Sequence, residues 1–100
     1  VQDVRPTLVW LAQPNNPTGH AWGAEALEMV AEACRTCDAL LVVDAAYLEL
    51  SRAPDVLPND AVVLHPLTKT FAIAGLRAGY ALTPPRVAET LRRAAPPWSV

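Results

Sequence analysis

The pattern begins with a short apolar, β-rich run, Thr7-Leu8-Val9-Trp10-Leu11-Ala12, which stops at the turn cluster Pro14-Asn15-Asn16-Pro17-Thr18-Gly19. From about Ala24 to Thr36 the period changes. Leu27, Val30, Ala31 and Cys34 recur on one side at helical spacing, while Glu25, Glu28, Glu32 and Arg35 face elsewhere, predicting an amphipathic helix. After Asp38, Ala39-Leu40-Leu41-Val42-Val43 is unbroken apolar sequence, as expected of a strand buried on both faces, and it ends at Asp44. Residues 51–60 are rich in Pro, Asn and Asp and predict a surface loop. Ala61-Val62-Val63-Leu64 predicts another short buried strand, leading into His65-Pro66-Leu67-Thr68-Lys69. Leu76 to Leu82 is a further strand candidate, interrupted at Gly79. Pro84-Pro85 then opens a last helix with Val87, Leu91, Ala94 and Ala95 along one side.

The order strand, helix, strand, strand, strand, helix, with fully apolar strands, predicts an α/β layered domain. No internal repeat or low-complexity tract interrupts it. Ligands in such sheets gather at the carboxyl ends of the strands. Three polar clusters fall there: Asn15-Asn16, Asp44 and Thr68-Lys69.

Composition narrows the picture. The 100 residues suffice for one small domain, and a charged fraction of 18% suits buried strands better than a free-standing, well-solvated surface. A net charge of −2 provides no basic face for nucleic acid or anionic lipid, and no apolar run approaches a membrane span. The first residues, Val1-Gln2-Asp3-Val4-Arg5, do not read as a secretory signal and lack a starting methionine, so the sequence is expected to be a piece of a longer protein. Cys34 and Cys37 form a C-x-x-C pair with no second ligand pair to complete a tetrahedral site. They read as packed structural thiols, which agrees with a cytoplasmic setting.

Asp44, directly after Leu41-Val42-Val43, carries a carboxylate whose loss of hydration must be compensated, either by a local hydrogen bond or by a bound cation. Lys69 lies between a buried strand and the run Phe71-Ala72-Ile73-Ala74-Gly75-Leu76. Apolar surroundings of that kind favour the neutral, nucleophilic form of an amine. Arg77 offers a guanidinium suited to bidentate capture of a phosphate. Gly75 and Gly79 are expected to let the backbone pass close to a ligand. His65 reads as a packed strand-end residue, Tyr80 as core, and His20 and Trp22, flanking the turn, as residues that pack or face solvent.

Three ordered motifs resemble the class I/II aminotransferases of pyridoxal phosphate (PLP) fold type I. They are Pro14-Asn15-Asn16-Pro17-Thr18-Gly19, Asp44-Ala45-Ala46-Tyr47, and Thr68-Lys69-Thr70-Phe71-Ala72-Ile73-Ala74-Gly75-Leu76-Arg77-Ala78-Gly79-Tyr80. The likeness extends over essentially the whole chain. It is nearest the branch holding histidinol-phosphate aminotransferases and threonine-phosphate decarboxylases.

The resemblance implies a fragment of the large cofactor-binding domain, a mainly parallel sheet with flanking helices, spanning residues 1–100. It implies that Lys69 carries PLP as a Schiff base and then moves the proton at the substrate α-carbon. Asp44 pairs with the ring nitrogen. Asn16 and Tyr47 bond the phenolate oxygen, Thr68 and Arg77 bind the phosphate, and Asn16-Pro17 is expected to be cis. Two positions depart from the family pattern: Ala45, where Glu is common, and Pro66, where a hydroxyl residue is usual. The first is not a cofactor ligand. The second leaves one phosphate hydrogen bond missing or supplied elsewhere.

The resemblance leaves the reaction open. An aminotransferase acting on an amino acid or amino-phosphate is the first expectation, with a full-length homodimer and no metal. The close alternative is a threonine-phosphate decarboxylase of cobalamin synthesis, favoured by the stretch from Leu67 to Arg77 and by Pro97-Trp98-Ser99-Val100. An alternative of another class is the PLP-sensing domain of a transcription regulator. The N-terminal part of the large domain, the small C-terminal domain and the arginine that grips the substrate carboxylate are expected outside these residues. The isolated chain is accordingly expected neither to fold stably nor to bind PLP well.

Overall fold

The computed structural model describes residues 3–53 and 55–98. It builds a four-stranded sheet from β1 (Leu8–Ala12), β2 (Leu40–Asp44), β3 (Val62–Pro66) and β4 (Gly79–Leu82), in spatial order β1-β2-β3-β4. The first three strands are parallel, and β4 returns antiparallel to β3. Helix α1 (Ala24–Thr36) connects β1 to β2, a single helical turn α2 (Leu67–Thr70) follows β3, and α3 (Pro85–Ala94) follows β4.

The register explains the burial. Val9 pairs with Leu41, Leu11 with Val43, and Val43 with Val63, so these side chains share one sheet face. That face packs on Ala31 and Cys34 of α1 to form the core, joined by Ala45, Leu48 and Ala61. Helix α1 buries Leu27, Ala31 and Cys34, the predicted stripe, with Val30 half-buried. It ends where Asp38 adopts the left-handed conformation (φ 56°) and the Ala39 amide turns back to the Cys34 carbonyl at 2.9 Å. Arg35 near that end pairs with Glu28, Glu32 and Asp60, tying α1 to the loop before β3.

The opposite sheet face is largely open. Burial on both faces holds for the middle of β2, where Leu41, Val42 and Val43 are all buried. On the edge strand β1, Leu8 and Trp10 are 47% and 58% exposed. All of β4 is exposed, and α3 buries no residue.

Two sequence expectations change. The predicted strand from Leu76 starts only at Gly79, because Ala74–Leu76 form a 3-10 turn and Arg77 is left-handed (φ 50°). Tyr80 is not core. It sits on the edge strand, 45% exposed, with its ring stacked on His65 at 4.8 Å between centroids. His65 is the packed residue expected, extending β3 beyond the predicted Leu64, and Glu49 lies 3.7 Å from its Nδ1.

No helix among the described residues is long and apolar enough to cross a membrane, and no group of three or more His, Cys, Asp or Glu among them could hold a metal. Cys34 is buried and Cys37 half-buried, both as free thiols.

Candidate functional site

The parallel strands β1, β2 and β3 all end on one side of the sheet, since Ala12 pairs with Asp44 and Asp44 with Leu64. Each strand end hands the chain to a segment bearing candidate residues. After β1 comes the loop with Asn16, after β2 the turn with Tyr47, and after β3 the helical turn with Thr68 and Lys69.

Asp44 is the last residue of β2 and half-buried. Its Oδ1 accepts the Ala46 amide at 3.0 Å, which orients the carboxylate and turns the chain towards Tyr47. A mainly apolar concavity formed by Leu64, His65, Pro66, Gly79, Tyr80 and Ala81 lies beside it. Asp44 contributes the one carboxylate of this lining. Ala45, which departs from the family pattern, is 3% exposed and lies in the core cluster, a place where an unpaired charge would be costly.

Lys69 stands on α2, and its Nζ lies 5.7 Å from the centroid of the Tyr47 ring. That is within reach of a cation–π contact. The structure thus brings Lys69 and Tyr47 together from two strand ends. It does not bear out the apolar surroundings expected of Lys69. The lysine is exposed, and Phe71 and Leu76 point largely into solvent. The reason is positional: α2 follows the carboxyl end of β3, and the described residues leave Lys69 on it, and Phe71 and Leu76 after it, uncovered.

Thr68 is half-buried on the same turn. Arg77 is exposed and lies where the chain returns to β4. Among the described residues no carboxylate pairs with Lys69 or Arg77. The two flank one excursion whose neck is closed by the Leu67 amide on the Ala78 carbonyl at 3.0 Å and by the Pro66–Gly79 pairing. A Cβ on Gly79 would stand 3.1 Å from the His65 carbonyl oxygen, so this glycine serves the close approach of β4 to β3. Gly75 faces open space.

Asn16 sits in a loop that contains two cis peptide bonds, Gln13-Pro14 and the expected Asn16-Pro17. The Asn15 amide donates to the His20 carbonyl at 2.8 Å, and the Asn15 side chain donates to Thr18 Oγ1, also at 2.8 Å. The Asn16 side chain is exposed and makes no hydrogen bond among the described residues. His20 packs edge-on against Trp22 with centroids 5.5 Å apart.

Gln13 was missed by sequence reasoning. It is 0% exposed, and its side-chain amide holds both the amide and the carbonyl of Trp22 at 2.9 Å. The signal was available: Gln13 is a polar residue at the end of an apolar strand, the same feature that singles out Asp44.

The donor set fits pyridoxal phosphate. It comprises an amine for a carbonyl, a carboxylate beside a mainly apolar concavity for a protonated ring nitrogen, a phenol beside the amine, and a guanidinium and a hydroxyl for a phosphate.

A mostly parallel sheet with these strand-end segments defines the fold of PLP fold type I enzymes. The chain belongs to the class I and II aminotransferase family, whose model matches residues 1–100. Histidinol-phosphate aminotransferase 2 of Archaeoglobus fulgidus is 34% identical over 104 residues, covering 100% of this chain and 29% of that protein. In structure, the chain is similar to the histidinol-phosphate aminotransferase of Clostridium acetobutylicum, with a TM-score of 0.86 at 22% identity. That match covers 99% of this chain and 32% of the other. The L-threonine-O-3-phosphate decarboxylase of Porphyromonas gingivalis has a TM-score of 0.81 at 22% identity, covering 93% and 30%. The last two likenesses establish the shared fold. The chain spans about three-tenths of the length of these relatives.

Proposed function

We propose that the chain is the cofactor-holding part of the large domain of a PLP-dependent aminotransferase acting on an amino acid or amino-phosphate, of the histidinol-phosphate aminotransferase type. The observation that carries this reading is the approach of Lys69 to Tyr47 at the strand ends where Asp44 also lies.

In this reading Lys69 Nζ holds the cofactor covalently. The same amine would be the base that takes the proton from the substrate α-carbon. The Asp44 carboxylate accepts a hydrogen bond from the ring N–H and keeps the proton there. Asn16 Nδ2 and the Tyr47 hydroxyl donate to the phenolate oxygen. Thr68 and Arg77 would grip the phosphate and so hold the cofactor independently of Lys69. Bound PLP supplies the carbonyl for amine capture and the ring that delocalises the electron pair left at the α-carbon.

Which α-carbon bond breaks depends on how the substrate is oriented. The substrate-gripping arginine is assigned to another part of the full-length protein. Aminotransferase is placed before decarboxylase because the relative at 34% identity bears that name, whereas the decarboxylase shares the fold at 22%. A homodimer in the cytoplasm completes the proposal.

Borohydride reduction of the full-length protein with PLP, followed by peptide mapping, is expected to label Lys69. Labelling of another lysine, or of none, overturns the reading. Assays with histidinol phosphate and threonine phosphate then separate amino-group transfer from release of carbon dioxide.

A further inference from the structure

We infer that Gln13 is a positioning residue that sets Asn16 relative to Asp44, an inference that rests on the cofactor reading above. Its backbone and side chain hold different elements. The Gln13 amide donates to the carbonyl of Asp44 itself at 2.9 Å, extending the β1–β2 ladder by one bond past the strand end. Its side-chain Nε2 donates to the Trp22 carbonyl, and its Oε1 accepts the Trp22 amide, both at 2.9 Å. This two-bond exchange reproduces with a side chain what a hydrogen-bonded residue pair does between antiparallel strands.

Within that outer clasp lies an inner one, formed by the Asn15 amide on the His20 carbonyl at 2.8 Å and the Gly19 amide on the Asn15 carbonyl at 2.7 Å. Asn16 lies on the segment enclosed by both. The loop bearing the proposed phenolate contact therefore hangs from one buried glutamine, which is hydrogen-bonded to the residue proposed to hold the ring nitrogen. Gln13 is fully buried with both side-chain polar atoms satisfied, so removing the amide leaves the Trp22 backbone groups without their partner. The packing volume is not the issue: methionine fills nearly the same space and makes neither bond.

The test uses the full-length protein loaded with PLP. Asn16→Ala is expected to raise the ratio of protonated to unprotonated cofactor absorption at fixed pH by about fivefold, the factor for one lost hydrogen bond. Gln13→Met is expected to raise it in the same direction. The double variant should go no further than Asn16→Ala alone, because both act through one contact. A merely structural Gln13 lowers stability and leaves the folded holoenzyme's spectrum unchanged. A wild-type ratio in Gln13→Met, with Asn16→Ala shifted and Lys69 labelled, overturns this inference and spares the cofactor reading. An unlabelled Lys69 or an unshifted Asn16→Ala overturns both. Should Gln13→Met fail to fold, hydrogen exchange in the wild-type protein decides. The Trp22 amide is expected to be protected about a hundredfold or more, and exchange at open-loop rates overturns the clasp.

Discussion

The amide of Leu67 donates to the carbonyl of Ala78 at 3.0 Å, and this one bond closes the neck of the excursion that carries Thr68, Lys69 and Arg77. The Pro66–Gly79 pairing and the His65–Tyr80 stack brace the same neck from the sheet side. Residues distant along the loop are thereby returned to the carboxyl end of β3.

Lys69→Ala in the full-length protein is expected to abolish reductive labelling and to lower turnover at least about a hundredfold, the scale of a lost proton-transfer group. Peptide mapping and a steady-state assay check this. Retained turnover would place the essential amine elsewhere.

Asp44→Ala removes the charged group beside the apolar concavity. A charge-assisted hydrogen bond contributes about 1.5–3 kcal/mol, so PLP affinity is expected to fall roughly tenfold to 150-fold. Fluorescence titration of the apoprotein measures it. Unchanged affinity would mean that Asp44 serves only its turn to Ala46.

Ala72 is left-handed at φ 53°, inside the excursion that holds Lys69 and Arg77. An L-residue there costs about 1–2 kcal/mol relative to glycine. Ala72→Gly is expected to recover about 1 kcal/mol, less the added freedom of the unfolded chain. Denaturant unfolding of the full-length protein reads the change, and destabilisation would contradict it.

Burial pushes the Cys34 thiol above its ordinary value of 9.0, with the neighbouring Cys37 adding to the shift. The fold favours the neutral thiol, so this contribution to stability is complete at neutral pH and is lost as pH rises into the alkaline range. Alkylation at neutral pH is expected at Cys37 well before Cys34, as followed by mass spectrometry. Equal rates would indicate that α1 opens readily.

The isolated chain is expected to lack a cooperative unfolding transition and to bind a hydrophobic dye. Leu8 and Trp10 are uncovered on one face of the sheet, Leu82 is uncovered on the other face at the edge strand β4, and α3 has no fully buried residue. A sharp, two-state melt would count against this.

The elements were legible because their signals are local. The stripe of Leu27, Ala31 and Cys34 and the unbroken run into Asp44 each belong to one segment, and the matching helix and strand occur where those patterns lie. The residue types at the strand ends, Asn16, Asp44 and Lys69, were readable for the same reason. Register, neighbours and cover were not. Sequence alone placed Tyr80 in the core and Lys69 among apolar side chains, but burial depends on which layers pack over an edge. Gln13 was visible as a polar residue at a strand end, but its partner, Trp22, becomes its neighbour only when the turn closes. Local patterning thus determined what the pieces are and which chemistry they carry. Tertiary structure decided which pieces meet, because hydrogen bonds such as Gln13 to Trp22 and Leu67 to Ala78 join residues that no sequence period relates.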